Sequence, residues 1–295
     1  MKERVADVSQ AGTVFRVICN PRLRKAAARC VKTIFYHFFY LQFKAAFLPG
    51  RVPVTQVDHP LDRDIPFKPR WVGVYLDFVS SWVRMAGFLL GRFGRKAEAP
   101  ALDFIETMGQ LYVLASEIYR KNLSTTMRPR YYKRPRFLLI HAADPHLMCI
   151  PSLHVIVVIR TYTKFRAILR GMGEDAALAG QIEEVRQLAL DITEAILYVK
   201  QHSVNCIPAA MYLVTRFDPR LFGAEEAENF VSAIFTRPFS PEKSPAIRAY
   251  IVSRYRQFLA EGGNCGDWRE PLLKFLREYQ LTGVQVTDAQ EKYGG

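Results

Sequence analysis

No two of the five cysteines, Cys19, Cys30, Cys149, Cys206 and Cys265, form a CxxC pair. Their number is odd and their spacings are wide, which argues against a zinc ribbon and gives no basis for a disulfide framework. Reduced thiols in a cytosolic setting are the plain expectation. The opening residues, MKERVADVSQAG, carry charges of both signs and no early apolar run, so no secretory leader is expected. Repeats and low-complexity tracts are missing. Strand patterns are few and short, the best being residues 54–57 and 137–141. Unbroken apolar runs are missing too. Residues 31–48 are interrupted by Lys32, His37 and Lys44, and residues 71–93 by Asp77, Arg84 and Arg92, whereas a membrane span needs roughly 18 or more apolar residues with few charges. With a mean hydropathy near zero, these runs favour a cytoplasmic or peripherally membrane-associated protein and leave integral insertion open.

The 295 residues are 49% hydrophobic and 13% aromatic, enough to build a large core and to make disorder over most of the length implausible. The formal net charge of +13 points to anionic partners: nucleic acid, an anionic lipid surface or a phosphorylated substrate. No zinc finger, helix-turn-helix fingerprint or RNP-like string is present, so nucleic acid is the weakest of the three. Apolar residues recur at three- and four-residue steps along most of the chain, as at Leu178, Ile182, Val185 and Leu188, and the class read from this is all-α. Residues 1–60 read as an N-terminal basic amphipathic arm, in which Pro21 opens a long helical stretch that Pro49-Gly50 closes. The proline- and charge-rich residues 51–70 are expected to separate this arm from a helical core over 61–218. A helical extension over 219–295 follows, with a frayed tail from Thr282.

Three segments carry candidate chemistry. In KNLSTTMRP, Lys121 ends a helical pattern and Arg128-Pro129 follow. Lysine and arginine stay charged near neutral pH, and the arginine fork can hold two phosphate oxygens. The plainer alternative is a basic loop around a helix end. In CIPSLHVIVVIR, Pro151 breaks the chain, Ser152 can cap the next helix and His154 lies in its first turn, where free backbone N–H groups can face an anion. Alternatively, His154 packs against its apolar neighbours. In YVKQHSVNCIPAAMY, His202 sits at a helix junction with Lys200 beside it. Two histidines 48 positions apart suit a reaction in which one imidazole attacks phosphorus and the other protonates the leaving group. A buried histidine bonded to a backbone carbonyl is the competing reading.

In this order the segments resemble the type 2 phosphatidic acid phosphatase superfamily, which includes lipid phosphate phosphatases, bacterial acid phosphatases, sphingolipid head-group transferases and vanadium haloperoxidases. Its first motif, K-x6-R-P, is matched by Lys121, Arg128 and Pro129. The second, P-S-G-H, is matched by Pro151, Ser152 and His154, with Leu153 in place of glycine. Of the third, S-R-x5-H-x3-D, His202 alone matches clearly. The resemblance covers residues 102–214. It implies a helical bundle of that type with the site at the ends of the central helices, and the C-terminal helical extension lies outside it. It further implies that Lys121, Arg128, Ser152 and the Leu153 N–H hold the phosphate, that His154 is the general acid, and that His202 is the nucleophile of a phosphohistidine pathway. That pathway calls for no metal or cofactor.

The sequence departs from the third motif at two places. Ile196 stands where the arginine belongs, with Lys200 as the stand-in for its charge, and Cys206 stands where the aspartate that orients the nucleophile belongs. Asn205, Asp191 and Glu194 are the candidates for replacing that aspartate. The expected function is therefore a phosphoric ester hydrolase or phosphotransferase acting on a lipid phosphate such as phosphatidic acid. A non-catalytic phosphate- or lipid-binding member with a degraded site is the alternative. A vanadate-dependent oxidase lacks the arginine it needs. In a structure the two imidazoles should flank a pocket wide enough for one phosphate, with Lys121 and Arg128 facing inward.

Overall fold

Among the described residues, two helices carry long stretches that are buried on every side, and a stretch of that kind must be surrounded by protein. They are α7 (Leu153–Gly171), buried from Leu153 almost continuously to Thr163, and α9 (Cys206–Phe217), buried from Cys206 to Thr215. The structure, a computed structural model that describes residues 4–279, places them at the centre of an all-helical body. Around α7 pack α4 (Val72–Phe93), α5 (Glu98–Tyr119), α8 (Ala179–Tyr198) and α9. The one charged residue within the buried stretch of α7, Arg160, is 2% exposed and is neutralised by Asp218 at 2.9 Å.

The basic arm is built from α1 (Gln10–Cys19), α2 (Pro21–Ile34), a π-helical turn over Phe35–Tyr40, and α3 (Leu41–Phe47). Asn20 caps α2 by accepting from Arg22 and Leu23, with Pro21 at the first helical position. The arm lies on the body: α1 packs on α4 and α2 on α5. The first contact is close, since a β-carbon on Gly87 would stand 1.9 Å from Thr13 Oγ1. Past the core, α10 (Ala224–Ser232), α11 (Ser244–Asn264) and α12 (Glu270–Glu278) follow, with α10 and α11 packed against α9 and α12 against α11. The tail from Thr282 lies outside the described residues.

Two expectations are corrected. Residues 137–141 are not a strand but part of α6 (Pro135–Ala143), because Pro135 starts the helix and Phe137 and Ile140, three apart, form its buried side. Residues 51–70 are not a spacer. Their strand β1 (Val54–Gln56) pairs in parallel with β2 (Leu123–Thr125). Asp58 accepts from the Met127 N–H at 3.0 Å and Asp62 from the Val204 N–H at 2.8 Å. This segment thus ties the loop holding the first motif to the turn holding the third. No helix among the described residues is long and apolar enough to cross a membrane.

Candidate functional site

Four pieces of chain meet at the end of the bundle where α7 begins. His154 projects from the first turn of α7, and His202 from the turn between α8 and α9, whose N–H groups at Gln201 and His202 both donate to the Ile196 carbonyl. The segment after α6 runs beside β2: the Cys149 N–H donates to the Ser124 carbonyl at 3.2 Å and the Ile150 N–H to Ser124 Oγ at 2.7 Å. From the arm, the π-helical turn inserts an extra residue into the helical phase, and Phe38 and Gln42 reach the same place. Together they enclose a cavity of about 40 Å3 lined by Phe38, Gln42, Asp144, His146, Cys149, Leu153, His154 and His202 among others. That volume holds water-sized or slightly larger groups.

The two histidines come together, with ring centroids 5.3 Å apart and planes at 69°. His154 also packs on Tyr75 and Phe78, at 4.4 and 4.1 Å. Burial pushes His154 down to about 4, partly offset by the Asp144 charge. Burial and the neighbouring His154 and His146 push His202 well below its ordinary value. Both rings are therefore neutral at pH 7. Edge-to-face contact leaves no room for a phosphate between the rings, which corrects the expectation that they flank one. A tetrahedral group would have to lie beside the pair, over the first turn of α7.

The expected cations are elsewhere. Lys121 is exposed at the end of α5, on the side of Asp267. The extended β2 then carries the chain away from it before Arg128 is reached. Arg128 does turn inward, but its guanidinium donates to the Asp144 carbonyl at 2.9 Å and to Gln201 Oε1 at 3.3 Å, joining the motif loops from behind the cavity. Lys200 donates to the Asp62 carbonyl. Ser152 occupies the cap position of α7 without capping it, and its hydroxyl is fully buried with no partner among the described residues. Leu153 alone of the expected phosphate-binding residues lines the cavity.

The stand-ins for the third-motif aspartate are also engaged elsewhere. Asn205 donates to the Val57 carbonyl and the Tyr279 hydroxyl and accepts from Tyr250. Glu194 and Asp191 lie back along α8, where Glu194 accepts from the Phe235 N–H at 2.8 Å and both pair with Arg237. Glu194 is 1% exposed. Glu194→Ala leaves a buried N–H without an acceptor and should cost about 2–4 kcal/mol. The urea midpoint reads this as a fall at unchanged m-value, and a change within about 0.5 kcal/mol would contradict the assigned role.

Sequence reasoning missed the charged group that does reach the histidines. Asp144 and His146 form a pair in the cavity wall: Asp144 Oδ1 accepts from the His146 N–H at 2.7 Å, and Oδ2 lies 3.9 Å from Nδ1. Against the opposing effect of burial, hydrogen bonding and charge from His146, with help from Arg128, hold the Asp144 carboxyl well below the usual range. Burial likewise opposes the His146 charge, but Cys149 and Asp144 outweigh it and push His146 up to about 9. The cavity thus contains one balanced ion pair and two neutral imidazoles. The only hint in the sequence is the Asp-Pro-His turn signal at 144–146, which ends three residues ahead of Cys149-x-Pro151. No family model, curated protein or solved structure matches the chain.

Proposed function

We propose that the chain is a phosphoric ester hydrolase that works through a phosphohistidine on a lipid phosphate such as phosphatidic acid. The observation that carries this reading is the meeting of His154 and His202, 48 positions apart in sequence, at the N-terminal end of α7. A nucleophilic imidazole must be neutral, and His202 is held neutral by burial. The unpaired N–H groups of the first turn of α7 supply donors for phosphate oxygens. In the proposed sequence, His202 attacks phosphorus, His154 protonates the departing alkoxide, and water then resolves the phosphohistidine.

The arm supports the lipid class. Residues 8–57 contain eight lysines and arginines and no aspartate or glutamate, and Phe15, Phe35 and Phe47 are 62–78% exposed. Basic charge beside exposed aromatic rings suits an anionic lipid surface. Phe38 and Gln42 extend the same arm to the cavity.

A second reading, binding of a phosphate group without turnover, is favoured by one observation: His202 Nδ1 is buried and has no partner among the described residues, so no carboxylate is hydrogen-bonded there to orient the ring, and the Asp144 charge acts on it only through space. Phosphate release from phosphatidic acid in mixed micelles, wild type against His202→Ala, separates the two. Release that persists in the variant removes the phosphohistidine, and saturable binding without release leaves the second reading.

The low value of His154 gives a pH dependence. The general acid must carry a proton, and in the free protein it does so only below about 4, while burial and its histidine neighbours also push His202 well below its ordinary value. kcat/KM should therefore rise as pH falls from 7 toward 5, by up to about tenfold per unit. A profile that is flat or climbs with pH over this range removes His154 from the acid role.

A further inference from the structure

Cys149 is buried, lines the cavity, and has its sulfur 3.8 Å from Nε2 of His146. His146 is fixed on both sides. Asp144 stands at Nδ1, and the Thr126 hydroxyl is 2.8 Å from Nε2. Its backbone stands at φ 62°, an uncommon conformation for a residue with a side chain that fixes where the ring points. The phosphohistidine pathway uses none of these three residues. A thiol beside an imidazole that is itself oriented by a carboxylate is the arrangement that makes sulfur nucleophilic. Two further buried polar atoms at the cavity, Gln42 Oε1 and His202 Nδ1, have no partner among the described residues, so the space offers hydrogen bonds to a small polar guest. With about 40 Å3 available, the guest must be little larger than water.

We propose that Cys149, His146 and Asp144 form a reactive thiol site at which small hydroperoxides oxidise Cys149 to a sulfenic acid. His146 already carries its proton and steadies the developing negative charge, and Sγ attacks one peroxide oxygen. The S–O bond forms as the O–O bond breaks, and the departing oxygen takes up the thiol proton and leaves as water. The sulfur loses two electrons, the peroxide gains them, and thiol plus hydrogen peroxide become sulfenic acid plus water. The site does not depend on the phosphatase reading. If that reading holds, the added oxygen enters the space shared with His154 and His202 and blocks it.

The test is timed exposure of the full chain to hydrogen peroxide and a catalase quench. The chain is then unfolded in N-ethylmaleimide, and peptide mass spectrometry reads the unblocked fraction of every cysteine. Trapping after unfolding avoids the need for a bulky reagent to enter the cavity. Cys30, which is also buried, is the internal reference. Cys149 should be oxidised at least about tenfold faster than Cys30. His146→Asn, a residue that tolerates positive φ, should remove at least about tenfold of that rate and leave the exposed Cys19 and Cys265 unchanged. Equal rates for Cys149 and Cys30 in the wild type overturn the proposal even if no variant folds, as does a folded His146→Asn protein that keeps the wild-type rate.

Discussion

His202→Ala should lower phosphate release from phosphatidic acid by at least about a thousandfold if the proposed phosphohistidine pathway operates, because loss of a covalent nucleophile leaves only positioning and electrostatic stabilisation behind. The fold should tolerate the change. The ring makes no hydrogen bond through Nδ1 among the described residues, and its removal enlarges a cavity that already exists, so the expected destabilisation is about 1–3 kcal/mol. His154→Ala is a useful contrast. With an activated leaving group such as p-nitrophenolate, which needs no proton, the His154 variant should recover most of its rate, whereas the His202 variant should not. If both variants fail equally on both substrates, the histidines maintain the site without the assigned division of labour. If both retain wild-type rates, neither takes part in the chemistry.

The parts of this arrangement that were legible in the sequence are those that depend on local pattern. The boundaries of α7 follow from Pro151 and Ser152 ahead of a continuous apolar run, and the closing of the arm near Leu48 follows from Pro49-Gly50. The strand at Val54–Gln56 was visible as well. Residues 137–141 were not, because Phe-Leu-Leu-Ile fits a strand and a helix equally and only Pro135 decides between them. The meeting of His154 with His202 was expected from motif order alone, but the directions of the cations were not available there. Lys121 and Arg128 are close in sequence, yet an extended strand between them spaces residues about 3.3 Å apart and separates the pair. Glu194 was a plausible partner for His202 only by distance in sequence. It lies back along α8 before the turn that carries His202, and its carboxylate is used there by Phe235 and Arg237.

The charge that reaches the histidines comes instead from Asp144, on a segment the motifs do not include. This changes the electrostatics a substrate meets. A phosphate lying beside the histidine pair approaches a carboxylate already matched by His146, so its attraction cannot come from a cluster of free lysines and arginines there. Long-range attraction has to come from outside the cavity, and the acid-free arm is the nearest source, since its own residues Phe38 and Gln42 form part of the cavity wall.

The arm should therefore control access to lipid substrate more strongly than any residue around the ion pair. Val31, Phe35 and Phe39 recur at four-residue steps and are exposed together, and Phe15, Ile18 and Phe47 add further apolar surface. Burying one such side chain contributes about 1.5–3 kcal/mol in full and less in a headgroup layer, so the triple change Phe15→Ser, Phe35→Ser, Phe47→Ser should lower partitioning onto phosphatidic acid-containing vesicles by at least about a hundredfold. These side chains are exposed, so the thermal midpoint should move by no more than a few degrees. Co-sedimentation with vesicles of phosphatidylcholine alone and with phosphatidic acid added reads both contributions. The wild type should prefer the anionic vesicles and lose that preference at high salt, because charge supplies part of the attraction. The triple variant should bind neither well, while its hydrolysis of a short-chain, micelle-free phosphate ester stays near the wild-type rate. Equal sedimentation of wild type and variant on anionic vesicles would show that the exposed rings do not meet the lipid, and a parallel loss on the short-chain ester would place them in the site rather than at the surface.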